Sequence, residues 1–259
     1  MDIQIKCDKE LLDTLVERYN IEEFIKDDPI SIPHRYEKRE DIEIAGFLAS
    51  TIAWGNRKSI VKNGLRMAQL LDDEPYRFIM DSSEYEMQHL LDFVHRTFNG
   101  GDFVYFIRSL QNIYKNHGGI GVFFEEDFKK YGDMRITLAN FHKLFFELEH
   151  EQRVRKHLSS IERGAACKRL NMYIKWMVRK DENGVDFGIW DIPSSALYLP
   201  LDVHTGNIGR QLGLLTRKQN DWKAVEEITA SLREFDANDP VKYDYALFGA
   251  GVNGAIRNS

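Results

Sequence analysis

Two short stretches hold the residues best suited to chemistry. The first, Ser160-Ile161-Glu162-Arg163-Gly164-Ala165-Ala166-Cys167-Lys168-Arg169, reads as a helix end, a tight turn at Gly164 and the start of a new basic helix. Backbone N–H groups at such a turn and helix start can hold a phosphate, with Arg163 and Arg169 adding charge beside them. Helical corners with exposed lysines are common, so this pattern alone also admits a purely structural reading. The second stretch, Leu199 to Leu214, is LPLDVHTGNIGRQLGL. An extended Leu-Pro-Leu leads into a helix start with Asp202 at its N-cap. Capping is sufficient reason for an aspartate there, because the carboxylate satisfies free N–H groups and suits the helix dipole. It also holds the carboxylate ionised and oriented, which suits it to stabilising positive charge that develops in a transition state. His204 can cap, hydrogen-bond locally or take part in chemistry. With Asp202 it could be half of a metal site, but no other His, Asp or Glu cluster has the spacing to complete one.

Helices must position these residues. Apolar residues recur at helical spacing through Leu11, Leu12, Leu15, Val16 and Tyr19, then Ile44, Phe47 and Leu48, then Ile136, Phe141, Leu144, Phe145 and Leu148. From about Lys168 to Arg179, Leu170, Tyr173, Ile174, Met177 and Val178 form one stripe, and Lys168, Asn171, Lys175 and Arg179 lie on the other face. The stretch from Asp181 to Pro200 contains Gly184, Gly188, Pro193 and Pro200 and reads as an ordered connector. Trp222, Val225, Ile228, Leu232 and Phe235 predict a further helix. Asp239-Pro240 predicts the N-cap and first residue of a last one, closed near Gly249 or Gly251. Strand-like alternation is scarce and no internal repeat is evident, so the expected class is all-α.

A chain of 259 residues with 43% hydrophobic content can bury a full core. Its two cysteines, Cys7 and Cys167, offer neither a disulfide framework nor the four-cysteine run of an iron–sulfur cluster, which fits a reducing cytoplasm. The start of the chain, MDIQIKCDKELLDTL, mixes charges where a signal peptide needs an apolar run, and no stretch approaches the ~18 apolar residues of a membrane span. A net charge of −6 argues against a nucleic-acid partner, but the distribution of charge argues for one. Ile44 to Leu71 has no acid and carries Arg57, Lys58, Lys62 and Arg66; Arg163 to Lys180 and Val203 to Asn220 are likewise basic and acid-free.

Taken together, the two stretches resemble the helix-hairpin-helix DNA glycosylases, in which a hairpin Gly-x-Gly-x-Lys precedes Pro-x-Asp-x-His, a helix and Arg-x-Leu-Gly-Leu. Gly164-Ala165-Ala166-Cys167-Lys168 fits the former, with Ala166 replacing the second glycine. Pro200-Leu201-Asp202-Val203-His204 and Arg210-Gln211-Leu212-Gly213-Leu214 fit the latter. The 34 residues separating Lys168 from Asp202 exceed the spacing of endonuclease III-like members and are similar to the longer connector of archaeal 8-oxoguanine glycosylases, which also lack an iron–sulfur cluster. The resemblance is strong over roughly residues 160 to 250, whereas 75 to 155 match only as helical filler. The whole chain also resembles an uncharacterised bacterial family of hypothetical proteins.

The resemblance implies two interleaved helical lobes with a DNA-binding cleft: 40–180 as a central lobe ending in the helix-hairpin-helix, and 1–39 plus 200–259 as the second. It implies Lys168 as the nucleophile of a glycosylase with AP lyase activity in base-excision repair, assisted by Asp202. Contacts to DNA are expected from Arg163, Gly164, Ala166, Arg169, Lys175, Arg179, Asn56 and Arg57. Ile52, Trp54 and Asn56 are candidates for a wedge in the base stack, and Trp54, Trp222 and His204 for the base pocket. The expected partner is double-stranded DNA bearing an oxidised purine such as 8-oxoguanine, bound by a monomer without metal or cofactor. The competing readings are a DNA- or RNA-binding protein without activity on the same scaffold, and a helical enzyme that binds a small phosphorylated ligand.

Overall fold

The helical periodicity is realised along most of the chain. A computed structural model describes residues 8–180 and 182–253, so residues 1–7, Cys7 among them, Asp181 and 254–259 lie outside the described residues. Its helices are α1 (Lys9–Tyr19), α2 (Glu23–Lys26), α3 (Arg39–Thr51), α4 (Arg57–Leu70), α5 (Pro75–Asp81), α6 (Gly100–Asn116), α7 (Ile120–Tyr131), α8 (Met134–Phe145), α9 (Lys168–Val178), α10 (Val203–Gln211), α11 (Trp222–Phe235) and α12 (Tyr243–Asn253). The one sheet among the described residues is a hairpin of two-residue strands, β1 (Val94–His95) and β2 (Phe98–Asn99). The protein is mostly α-helical.

The chain divides into two compact units, Ile25–Ser159 and a discontinuous one made of Met1–Phe24 with Ser160–Ser259. The Gly164 turn and α9 therefore belong with the C-terminal residues, although the resemblance placed them at the end of the central lobe.

The central unit is built on α3, whose residues from Ile42 to Thr51 are all buried. Phe47 of α3 meets Phe106 of α6 at 5.9 Å and Phe145 of α8 at 5.4 Å, ring centre to ring centre. Such offset and edge contacts between large rings stabilise beyond simple burial. The Asn99 and Asp102 side chains form a reciprocal capping box at the start of α6. Asp102, fully buried, also contacts His157 Nε2 at 3.0 Å and accepts from Arg153 at 2.7 Å. Burial works against its ionised form, but the bonds from His157 and Asn99 outweigh it and hold the carboxyl below its ordinary range.

In the discontinuous unit, α9 is buried on every side after its first two residues. The connector predicted for 181–200 supplies part of that cover and closes the helix end. Phe187 N–H donates to the Trp176 carbonyl at 2.8 Å, and those of Ile189 and Trp190 to Met177 at 2.7 and 3.0 Å. These bonds satisfy carbonyls that a helix terminus leaves open.

The expectation for the last helix is corrected in two respects. Asp239 makes no capping bond and Pro240 opens a 3-10 turn, while Oδ2 of the Asp239 carboxylate accepts from Arg179 at 2.8 Å. Nor does α12 close at Gly249 or Gly251. A Cβ on Gly249 would fall 2.3 Å from the Tyr19 ring, so this glycine serves close packing against α1 instead of ending a helix.

Candidate functional site

Lys168 and Asp202 lie in one unit, and the fold brings them together. Lys168 is the first residue of α9, and Asp202 is the N-cap of α10. Nζ of Lys168 stands 3.9 Å from Asp202 Oδ2, with the two side chains 26% and 24% exposed. The amine also rests 3.4 Å from Met172 Sδ, one turn along α9. The other carboxylate oxygen, Oδ1, accepts from Thr205 N–H at 2.9 Å, as predicted for the cap. Asp202 is thus anchored by one oxygen and presents the other to the lysine.

The turn ahead of Lys168 differs from a helix-hairpin-helix in its first element. A 3-10 turn, Ile161–Arg163, stands where a helix end was expected, and Gly164 follows in the left-handed region at φ +75°. Glycine suits that conformation. The Gly164 N–H is used by the Ile161 carbonyl at 2.8 Å, and that of Ala165 by Ser160 at 3.3 Å, so neither is available to a phosphate. The first turn of α9, by contrast, has no side-chain cap. The second positive φ of the hairpin is at Cys167, +49°, and not at Ala166, so the alanine creates no conformational conflict. Cys167 is no candidate nucleophile: burial pushes its thiol up to about 12.

Behind the pair lies a segment the sequence did not flag. Asn220 donates its amide to the Asp202 carbonyl at 3.0 Å. Arg210, of the Arg-x-Leu-Gly-Leu motif, donates to the carbonyls of Arg217 and Lys218 at 2.8 and 3.0 Å and to Asn220 Oδ1. A Cβ on Gly206 would sit 2.8 Å from Asn220 Oδ1, so glycine there lets the asparagine approach α10. Next in the chain, Asp221 caps α11 through Ala224 N–H at 3.1 Å and pairs with Arg217, which holds its carboxyl down to about 2. The same short segment then meets the hairpin: Asp221 forms a β-bridge with Ala165, and Trp222 N–H donates to the Gly164 carbonyl at 2.9 Å. Asn220-Asp221 before an apolar helix is a legible cap signal, but nothing local announces the reach of Asn220 to Asp202.

Of the expected DNA contacts in this unit, Arg163 and Gly164 are exposed, and Ala166 and Arg169 are half-buried. Burial pulls the Arg169 guanidinium down to about 10. Lys175 and Arg179 are corrections. Their side chains are 3% and 4% exposed; Lys175 pairs with Asp244 at 2.9 Å, and Arg179 with Asp186 at 2.9 Å and Asp239 at 2.8 Å. Cations sealed against carboxylates cannot meet a phosphate. His204 is exposed in the first turn of α10. Trp222 is a core residue, 6% exposed and against Tyr198 at 4.8 Å, which removes it as a pocket wall.

The remaining candidates belong to the central unit. Ile52 is fully buried and is excluded as a wedge. Trp54 is half-buried, stacked on His157 at 5.9 Å and edge-on to His95 at 5.2 Å. Asn56 is exposed but caps α4 through Ser59 N–H, and Arg57 lies 3.8 Å from Asp28. Among the described residues no group of three or more His, Cys, Asp or Glu could hold a metal ion, and no helix is long and apolar enough to cross a membrane.

Compared with known families, residues 28–253 match one described as "Protein of unknown function (DUF2400)". No curated protein and no solved structure matches the chain.

Proposed function

The chain belongs to the DUF2400 family, and within that family we propose that it is a DNA glycosylase with AP lyase activity on an oxidised purine such as 8-oxoguanine. The observation that carries this reading is the Lys168–Asp202 pair, 3.9 Å apart, partly open to solvent and formed by a hairpin lysine and a helix-capping aspartate. That is the setting in which the helix-hairpin-helix glycosylases carry their nucleophile and its acidic partner. The uncapped first turn of α9, with Arg163 exposed beside it, supports binding of a backbone phosphate. A flipped nucleotide would present its sugar to the amine.

The chemistry uses only these groups. The neutral Lys168 amine forms a bond to C1′ as the N-glycosidic bond breaks and its electron pair leaves with the base. Asp202 faces the positive charge that develops on the sugar, takes the proton released by the attacking nitrogen and returns it to the departing base. Opening of the sugar ring gives a Schiff base between Lys168 and C1′. Loss of a C2′ proton then expels the 3′-phosphate by β-elimination, and water releases the lysine.

The test is borohydride trapping. A duplex containing 8-oxoguanine should yield a covalent protein–DNA adduct, and Lys168→Gln should abolish it. Salt-sensitive duplex binding without trapping on any damaged base would favour a binding protein without activity. Absence of duplex binding at low salt would leave the enzyme of a small phosphorylated ligand.

A further inference from the structure

Lys168 and Asp202 face each other without closing to a hydrogen bond. Charge-assisted N–H···O bonds close to about 2.7–2.9 Å, and on the same helix Lys175 reaches Asp244 at 2.9 Å. Lys168 stands at 3.9 Å, its amine engaged instead with Met172 Sδ at 3.4 Å. The aspartate is held as well. Its Oδ1 is bonded to Thr205 N–H, and its own carbonyl accepts from Asn220. Arg210 fixes the segment that carries Asn220 by binding two of its carbonyls and the asparagine Oδ1. The next residue, Asp221, bridges Ala165 in the turn that carries Lys168, and Trp222 N–H directly after it donates to the Gly164 carbonyl. One short stretch of chain therefore grips the aspartate on one side and the lysine's hairpin on the other.

We infer that residues 217–221 form a strut that holds the Asp202 carboxylate back from Lys168, with Asn220 and Arg210 as its positioning residues. The inference rests on the reading of Lys168 as a nucleophile. A carboxylate closed onto the amine would keep it protonated and occupy the nitrogen that must attack. One held a little further off can still stabilise a positive sugar and exchange a proton. Neither Asn220 nor Arg210 touches the reacting atoms in this scheme; they act through Asp202 and the hairpin.

The experiment compares wild type with Asn220→Ala in two assays across pH: borohydride trapping on the 8-oxoguanine duplex, and modification of Lys168 by an amine-reactive acylating reagent, followed by peptide mass spectrometry. With the strut cut, Asp202 closes on the lysine. The acid limb of both profiles moves to higher pH, and the rate at neutral pH falls about tenfold for each pH unit of movement. At high pH the variant and wild type converge, which a general loss of structure would not produce. Asn220→Gln, which keeps an amide donor, restores the profile at least in part. Should Asn220→Ala fail to fold, Arg210→Lys loses the two-nitrogen reach while keeping the charge and is expected to show the same movement. An unmoved acylation profile in a folded variant overturns the strut, whether or not DNA is trapped. A moved acylation profile without trapping in wild type leaves the strut standing and removes the glycosylase reading.

Discussion

Helix α9 carries two encounters between lysine and aspartate, and they are opposite in kind. At its first residue, Lys168 stands 3.9 Å from Asp202 with both side chains about a quarter exposed. Two turns on, Lys175 is sealed at 2.9 Å from Asp244 and lies over the Tyr245 ring at 3.6 Å. One turn further, Arg179 bridges Asp186 and Asp239. Burial works against the Arg179 charge, yet Asp186 and Asp239 outweigh it and raise its pKa. The buried end is complete in itself, since each cation has its carboxylate at hydrogen-bond distance. The open end has a lysine and an aspartate facing each other at 3.9 Å without a closed bond. Charge on the same helix is thus closed into buried pairs at one end and left partly open at the other.

The sharpest way to break this comparison is at the buried end. Arg179→Met removes the cation shared by the buried Asp186 and the partly exposed Asp239 and leaves the Asp186 carboxylate without its hydrogen-bonded partner. Breaking a buried pair by removing one partner costs about 3–5 kcal/mol, so urea unfolding should show a loss of that order or failure to fold. A loss below about 1 kcal/mol would mean that the cluster is solvated and that α9 is not divided as described.

An intermediate effect is expected at Asp202, which belongs to both categories. Asp202→Ala removes the Oδ1 bond to Thr205 N–H that caps α10. Loss of an N-cap costs about 0.5–2 kcal/mol, measurable as a lower urea midpoint at unchanged slope. Asp202→Ser restores the capping oxygen but not the carboxylate. It should recover stability without recovering adduct formation, which separates the aspartate's two roles.

What could be read from the sequence follows the same division. The Asp202 cap, the left-handed Gly164 and the apolar stripe of α9 depend on neighbours within a few residues, and each was legible. The polar face of α9 was not. Lys175 and Arg179 look like surface cations because their carboxylates come from elsewhere, Asp244 from 69 residues away and Asp239 from 60. Periodicity reports which face is apolar, not whether a charged face finds partners in the fold. The β1–β2 hairpin escaped for a related reason. Two-residue strands have no alternation to detect, and the positive φ of its turn falls on Arg96 rather than glycine. At the candidate site, Lys168 and Asp202 were legible through their motif, whereas Asn220 acts across 18 residues on a carbonyl, which any residue type would supply.

The smallest effect on stability, and the most discriminating, belongs to Lys168. Its contact with Asp202 is long and partly solvated, and exposed ion pairs contribute about 0–1 kcal/mol. Lys168→Gln keeps a polar, partly solvated side chain at the same position, so its stability should fall within about 0.5 kcal/mol of wild type in urea unfolding. The same substitution abolishes trapping under the proposed function. A residue that can be removed at almost no cost to the fold, on a helix where its neighbour cannot, is one whose place is not explained by stability. Were Lys168→Gln instead to destabilise the protein by as much as Arg179→Met, the pair would be a second structural salt bridge, and the contrast between the two ends of α9 would disappear.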